Sequence, residues 1–111
     1  MQKEYILCAA IHYSDYKNDD PEFINSQPRN ISAGIVISGH RHHNCIATWF
    51  ALTKIPTRKP EHQQGFLTSL NRFVDRKEAF LIAKNNGQLL SPNLHDQGNA
   101  AGNILTSEDL Y

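Results

Sequence analysis

Apolar residues fall into separate groups along the chain, and the spacing within each group predicts its conformation. Residues 4–13 (EYILCAAIHY) form a short apolar run that stops at Asp15 and a turn-rich YKNDDP stretch. A run of this length between turn residues predicts a buried strand. Residues 14–30 combine Asp, Asn and Ser with Pro21 and Pro28. Proline fixes φ and removes a backbone donor, so this segment is expected to be loop. Residues 31–38 (ISAGIVIS) are rich in β-branched side chains and stop at Gly39, which predicts a second strand.

The period changes after Gly39. Ile46, Trp49, Phe50 and Thr53 fall at i, i+3, i+4 and i+7, predicting a helix over about 42–53 packed through its two aromatics. Pro56 and Pro60 then enclose a basic loop, IPTRKP. Residues 64–74 (QGFLTSLNRFV) predict a hairpin with strands at 66–68 and 72–74 and a tight Ser-Leu-Asn turn. Asp75 and Glu78 occupy the N-cap and N3 positions of a capping box. The helix they open is expected over 76–86, with Phe80, Ile82 and Ala83 inward and Gly87 as its C′ stop. Residues 91–103 have loop composition, and the closing LTSEDLY offers a cap at Ser107 and a docked end at Leu110 and Tyr111. No internal repeat is present. The pattern predicts an α+β fold, a small antiparallel sheet with two principal helices, as a single domain over residues 1–111.

Composition narrows the function. The 111 residues, 40% hydrophobic and 20% charged, can bury a modest core. A chain this small buries only about two-thirds of its unfolded surface, so enclosing a ligand is easier with a second copy. Eleven basic side chains match eleven acidic ones, which provides no field for gripping DNA non-specifically. No apolar run approaches the ~20 residues of a membrane span. The apolar stretch at residues 5–11 makes a poor signal peptide, so a cytoplasmic location is expected. Cys8 and Cys45 do not make a disulfide framework.

The neutral total conceals an asymmetry. Residues 1–39 carry a net −2, residues 40–84 a net +5 and residues 85–111 a net −3. A basic middle suits an anionic ligand, and equally suits pairing with the acidic flanks or with a partner subunit.

The densest group of reactive side chains is GHRHHNC, residues 39–45, between a predicted strand and a predicted helix. Three readings compete. A helix start offers free N–H groups to an anion, Arg41 can fork onto phosphate, and His40 or His42 can add hydrogen bonds. The same histidines with Cys45 and Cys8 are zinc-ligand types, but H-x-H-H-x-C matches no common ligand spacing. Alternatively, the histidines make structural hydrogen bonds at the helix start. In the second cluster, Arg72 could hold phosphate and Phe73 could stack on a base, or Phe66 and Phe73 are core residues across the hairpin. Arg29 and the Arg58-Lys59 pair are further cations in stiff, proline-flanked loops. Cys45 beside a histidine has no acidic orienter nearby, and no phosphate-loop or dinucleotide glycine pattern occurs. The residues read as a binder before an enzyme, with no cofactor and no metal expected.

The run SGHRHHNCI, then GFLTSLNRFVDRKEAFLIAKNNGQL, then SEDLY, resembles the first-described type of Thoeris anti-defence sponge, a family of small phage and prophage proteins. The two longer motifs in this order are more specific than either alone. The resemblance implies capture, without cleavage, of cyclic ADP-ribose isomers such as glycocyclic ADP-ribose made by bacterial TIR-domain proteins, in the cytoplasm of an infected host. It implies a homo-oligomer, a dimer or an assembly of dimers, with pockets between subunits. It assigns ligand contacts to Arg29, His40, Arg41, His42, Arg72 and Phe73, and implies a second anion site, for cyclic oligonucleotides, using Arg58 and Lys84. The rival expectations are a small metal- or histidine-dependent phosphodiesterase acting on a cyclic nucleotide, and an inhibitor that binds a protein.

Overall fold

The N-terminal apolar run becomes β1 (Ile6–Tyr13), an inner strand of the sheet. A computed structural model describes residues 3–56, 64–90, 105 and 110. Strand β2 (Ile35–Gly39) pairs with one side of β1 and β3 (Gln64–Thr68) with the other, while β4 (Phe73–Asp75) pairs with β3. All pairings are antiparallel, in the order β2-β1-β3-β4. Among the described residues there are three helices: α1 (Pro21–Ser26), α2 (His42–Thr53) and α3 (Arg76–Asn85). The chain is therefore α+β, as its hydrophobic pattern predicts.

Successive strand residues face opposite sides, so register decides which side chains meet. Ala9 is level with Phe66, Phe66 with Val74, and Ile11 with Ile37. These residues share one face with Tyr13 and join Cys45 and Trp49 of α2 and Ala79, Phe80 and Ala83 of α3 in one hydrophobic core. Phe66 and Phe80 are fully buried, and burying each side chain stabilises the fold by roughly 2–3 kcal/mol. Trp49 stacks on Tyr13 with ring centroids 3.9 Å apart, and Leu105 fills the same core. The opposite face carries Ala10, His12, Val36, Leu67 and Phe73.

The third helix ends as its sequence predicts. Asp75 accepts a hydrogen bond from the Glu78 N–H at its start. At its end Gly87 takes φ +69°, with Gly87 N–H donating to Lys84 O and Gln88 N–H to Ala83 O. That paired bonding is a Schellman stop, and the left-handed C′ position favours glycine.

Several expectations are corrected. Residues 14–30 are not all loop, because α1 forms with Asp20 as N-cap and Pro21 at the first helical position, where a missing N–H costs nothing. Strand β2 begins at Ile35 rather than at residue 31. The aromatic pair of α2 divides: Trp49 is buried, whereas Phe50 is 47% exposed. In the hairpin, Arg72 precedes β4 instead of opening it. Leu110 packs against the core, as expected; Ser107, Tyr111 and residues 91–103 lie outside the described residues.

The link from β1 to β2 does more than turn the chain. His12 Nε2–H donates to Ala33 O at 2.7 Å, and Gln27 Oε1 accepts from the Val36 N–H at 2.8 Å on the outer side of β2. Asn30 reaches the far edge, donating to Phe73 O at 2.6 Å and accepting from Phe73 N–H at 2.8 Å. Residues 27–33 therefore span the sheet from β2 to β4 and return.

Candidate functional site

Antiparallel order brings the end of β2, the start of β1 and the β3–β4 turn to one end of the sheet. Four of the sequence candidates, from distant parts of the chain, lie at this end. His40 and Arg41 follow β2, Arg72 lies in the β3–β4 turn, and Arg29 is tied to that turn by its N–H donating to Asn71 O at 2.8 Å. Three strand spacings separate β2 from β4, about 14 Å in all.

At the β2 side, the lack of a side chain at Gly39 lets α2 start tightly against the strand: a Cβ there would stand 3.1 Å from Asn44 Cβ. Arg41 is the N-cap of α2. Its N–H donates to Asn44 Oδ1 at 3.0 Å, and its carbonyl accepts from Asn44 N–H at 3.0 Å. His42 anchors this helix start, with Nε2–H donating to Gly65 O at 2.9 Å and its ring edge-on to Phe66 at 5.2 Å. That contact is the structural role foreseen as one alternative for the histidines. His40 is exposed and Arg41 half-buried.

At the β4 side, Arg72 is enclosed by carboxylates. Its Nε donates to Glu4 Oε2 and its Nη2 to Glu4 Oε1, both at 2.9 Å, while Nη2 also donates to Glu78 Oε2 at 2.9 Å. Thr68 Oγ1 adds a 2.6 Å bond to Glu4. The Arg72 hydrogen bonds hold the Glu4 carboxyl below its usual range, assisted by Thr68 and by the nearby charge of Arg29, against an opposing effect of burial. In turn Glu4 and Glu78 hold Arg72 more firmly protonated than usual. A two-pronged, charge-assisted contact of this kind is strong and geometrically specific. Arg29 differs: it is exposed, and its guanidinium forms no hydrogen bond or ion pair among the described residues.

The remaining sequence candidates sit elsewhere. Phe73 faces the opposite side of the sheet from the core, half-buried, with its ring 5.7 Å from His12. Lys84 lies in the last turn of α3 with its ammonium 5.8 Å over the Phe80 ring. Arg58 lies outside the described residues. Cys45 is buried, and desolvation pushes its thiol up to about 12; at neutral pH it holds its proton and is a poor nucleophile. Among the described residues no group of three His, Cys, Asp or Glu side chains could hold a metal ion.

One feature escaped the sequence reading. Residues 14–34 enclose a cleft of about 240 Å³ lined by Tyr16, Lys17, Phe23, Ile24, Gln27 and Ile31 among others. It adjoins the Tyr13–Ile35 end of the sheet, on the order of 24 Å along β1 from the β3–β4 turn that carries Arg72, while Arg29 stands in the chain between its lining residues Gln27 and Ile31. The Asp20-Pro21 pair followed by apolar Phe23 and Ile24 was the available signal for α1 and hence for this wall.

A family model described as phage T4 y16D protein matches residues 5–111, from just before β1 to the last residue. The chain belongs to this family. No curated protein and no solved structure matches it. In this y16D-family protein, no helix among the described residues is long and apolar enough to cross a membrane. The chemistry open at this end of the sheet is that of Arg29 on the β4 side and of His40 and Arg41 at a helix start on the β2 side, each suited to meeting an anion.

Proposed function

We propose that this y16D-family protein is a nucleotide-signal sponge, which captures a cyclic ADP-ribose isomer such as glycocyclic ADP-ribose and holds it uncleaved, blocking Thoeris signalling in the infected cell. The observation that carries this reading is that Arg29 on the β4 side and His40 and Arg41 at the start of α2 on the β2 side, from two distant parts of the chain, are brought to one end of the sheet by the strand order. A pyrophosphate accepts forked contacts from arginine and hydrogen bonds from imidazole. The motif resemblance supplies the ligand class. Arg72 serves this site by holding Glu4 rather than by meeting phosphate, and His42 serves it by fixing the helix start.

The pocket is completed by a second copy of the chain, which suits a ligand that must be released slowly. Lys84 belongs to a separate, weaker anion site for cyclic oligonucleotides. Calorimetry with glycocyclic ADP-ribose tests the proposal: saturable binding is expected, and absence of heat with no depletion of ligand overturns it. The ligand recovered after heat denaturation is expected intact. Recovery of a hydrolysis product would instead favour the phosphodiesterase.

A further inference from the structure

We propose that Asn30 is a positioning residue for Arg29, fixing that arginine in the anion site before ligand arrives; the functional part of this inference rests on the sponge reading above. Residues 28–31 form a turn closed by Ile31 N–H donating to Pro28 O at 2.9 Å, and Pro28 itself is buried. Arg29 stands at the corner of that turn. Its own N–H is bonded to Asn71 O, and the next residue, Asn30, holds the Phe73 backbone through both a donor and an acceptor. Gln27 anchors the other end of the segment on the Val36 N–H.

The consequence is a side chain with open chemistry on a backbone tied at every corner. Glu4, the carboxylate whose charge Arg29 senses, is already engaged by Arg72 and Thr68. An anion reaching Arg29 thus meets a guanidinium that need not leave a partner, and whose backbone has little freedom left to lose. The Asn30 amide acts here as a peptide group would, matching the N–H and C=O of an edge strand. Other residue types of similar size lack that pairing of donor and acceptor.

A double-mutant cycle tests this, with glycocyclic ADP-ribose as the calorimetric probe and wild type, Arg29→Ala, Asn30→Ala and the double variant as proteins. Arg29→Ala is expected to weaken binding by about 10- to 30-fold, as for loss of hydrogen bonds to a charged group. Asn30→Ala is expected to weaken it by about 3- to 10-fold, and the double variant to bind like Arg29→Ala within about twofold. The same loss from Asn30→Ala in both backgrounds would overturn the proposal, because Asn30 would then act independently of Arg29. Amide hydrogen exchange supplies a readout that needs no ligand: the Arg29 N–H is expected to be protected in wild type and to lose about tenfold or more of that protection in Asn30→Ala. Unchanged protection overturns the positioning role. Failure of wild type to bind the probe overturns the sponge reading, while exchange still decides whether Asn30 fixes Arg29. If Asn30→Ala does not fold, Asn30→Asp, which keeps the acceptor for Phe73 N–H, takes its place in both measurements.

Discussion

Arg29 and Arg72 lie at the same end of the sheet and are fixed in opposite ways. Arg72 is held through its guanidinium, which Glu4 and Glu78 occupy. Arg29 is held through its backbone, leaving the guanidinium exposed and unbonded among the described residues. The two carry the same charge; their carboxylate company differs. An arginine tied by its head contributes to folding, and an arginine tied by its backbone remains available to an outside anion.

Substitution at each position should separate the two roles. The largest effect is expected from Arg72→Ala, which leaves Glu4 with one hydroxyl partner and should lower stability by about 2–3 kcal/mol, less than for a fully buried pair. A urea titration measures that loss, and ligand affinity of the folded fraction should fall by less than in Arg29→Ala, because Arg72 serves the site only by keeping Glu4 from Arg29. Next comes Arg29→Ala, expected to leave the urea midpoint within about 0.5 kcal/mol of wild type, as for a surface change, while costing about 1.5–2 kcal/mol in binding. A stability loss in Arg29→Ala equal to that of Arg72→Ala would erase the distinction.

Acid sharpens the same contrast. Because Glu4 has a lowered folded-state pKa, its stabilising contribution is fully present above its ordinary value of 4.5 and is lost as pH falls through the lowered folded value. Glu4→Gln should therefore flatten the acid limb of stability against pH and cost about 1 kcal/mol near neutrality. Arg29→Ala should leave that limb almost unchanged. The smallest effect is expected from Lys84→Ala, whose contact with the Phe80 ring is worth no more than about 0.5–1 kcal/mol in stability. Calorimetry with a cyclic oligonucleotide would show whether this lysine also meets a second ligand.

What the sequence conveyed depended on how local the cause was. The third helix was legible because its cap, its inward residues and its Schellman stop all lie within residues 75–88. The span of α2 was legible from its spacing, but the exposure of Phe50 was not, since periodicity indicates a helical face without saying where the sheet beneath it ends. The first helix was missed because prolines were read as breakers, although Pro21 occupies the one helical turn that tolerates it. Among the site residues, proximity of Arg29 to the β3–β4 turn depends on Asn71, and the capture of Arg72 depends on Glu4, a residue from the opposite end of the chain. Neither relation leaves a mark in local pattern. The role of His42 as an anchor was among the alternatives, and only its contact with Gly65 decides for it.

The amides of Gln27 and Asn30 carry one more consequence, for how copies of this protein can meet. They satisfy outward backbone groups on both rims of the sheet, at Val36 and at Phe73. A neighbouring strand seeking to zip onto either rim at these points must first evict an amide, so assembly is steered toward helices and faces, and away from fibrous stacking.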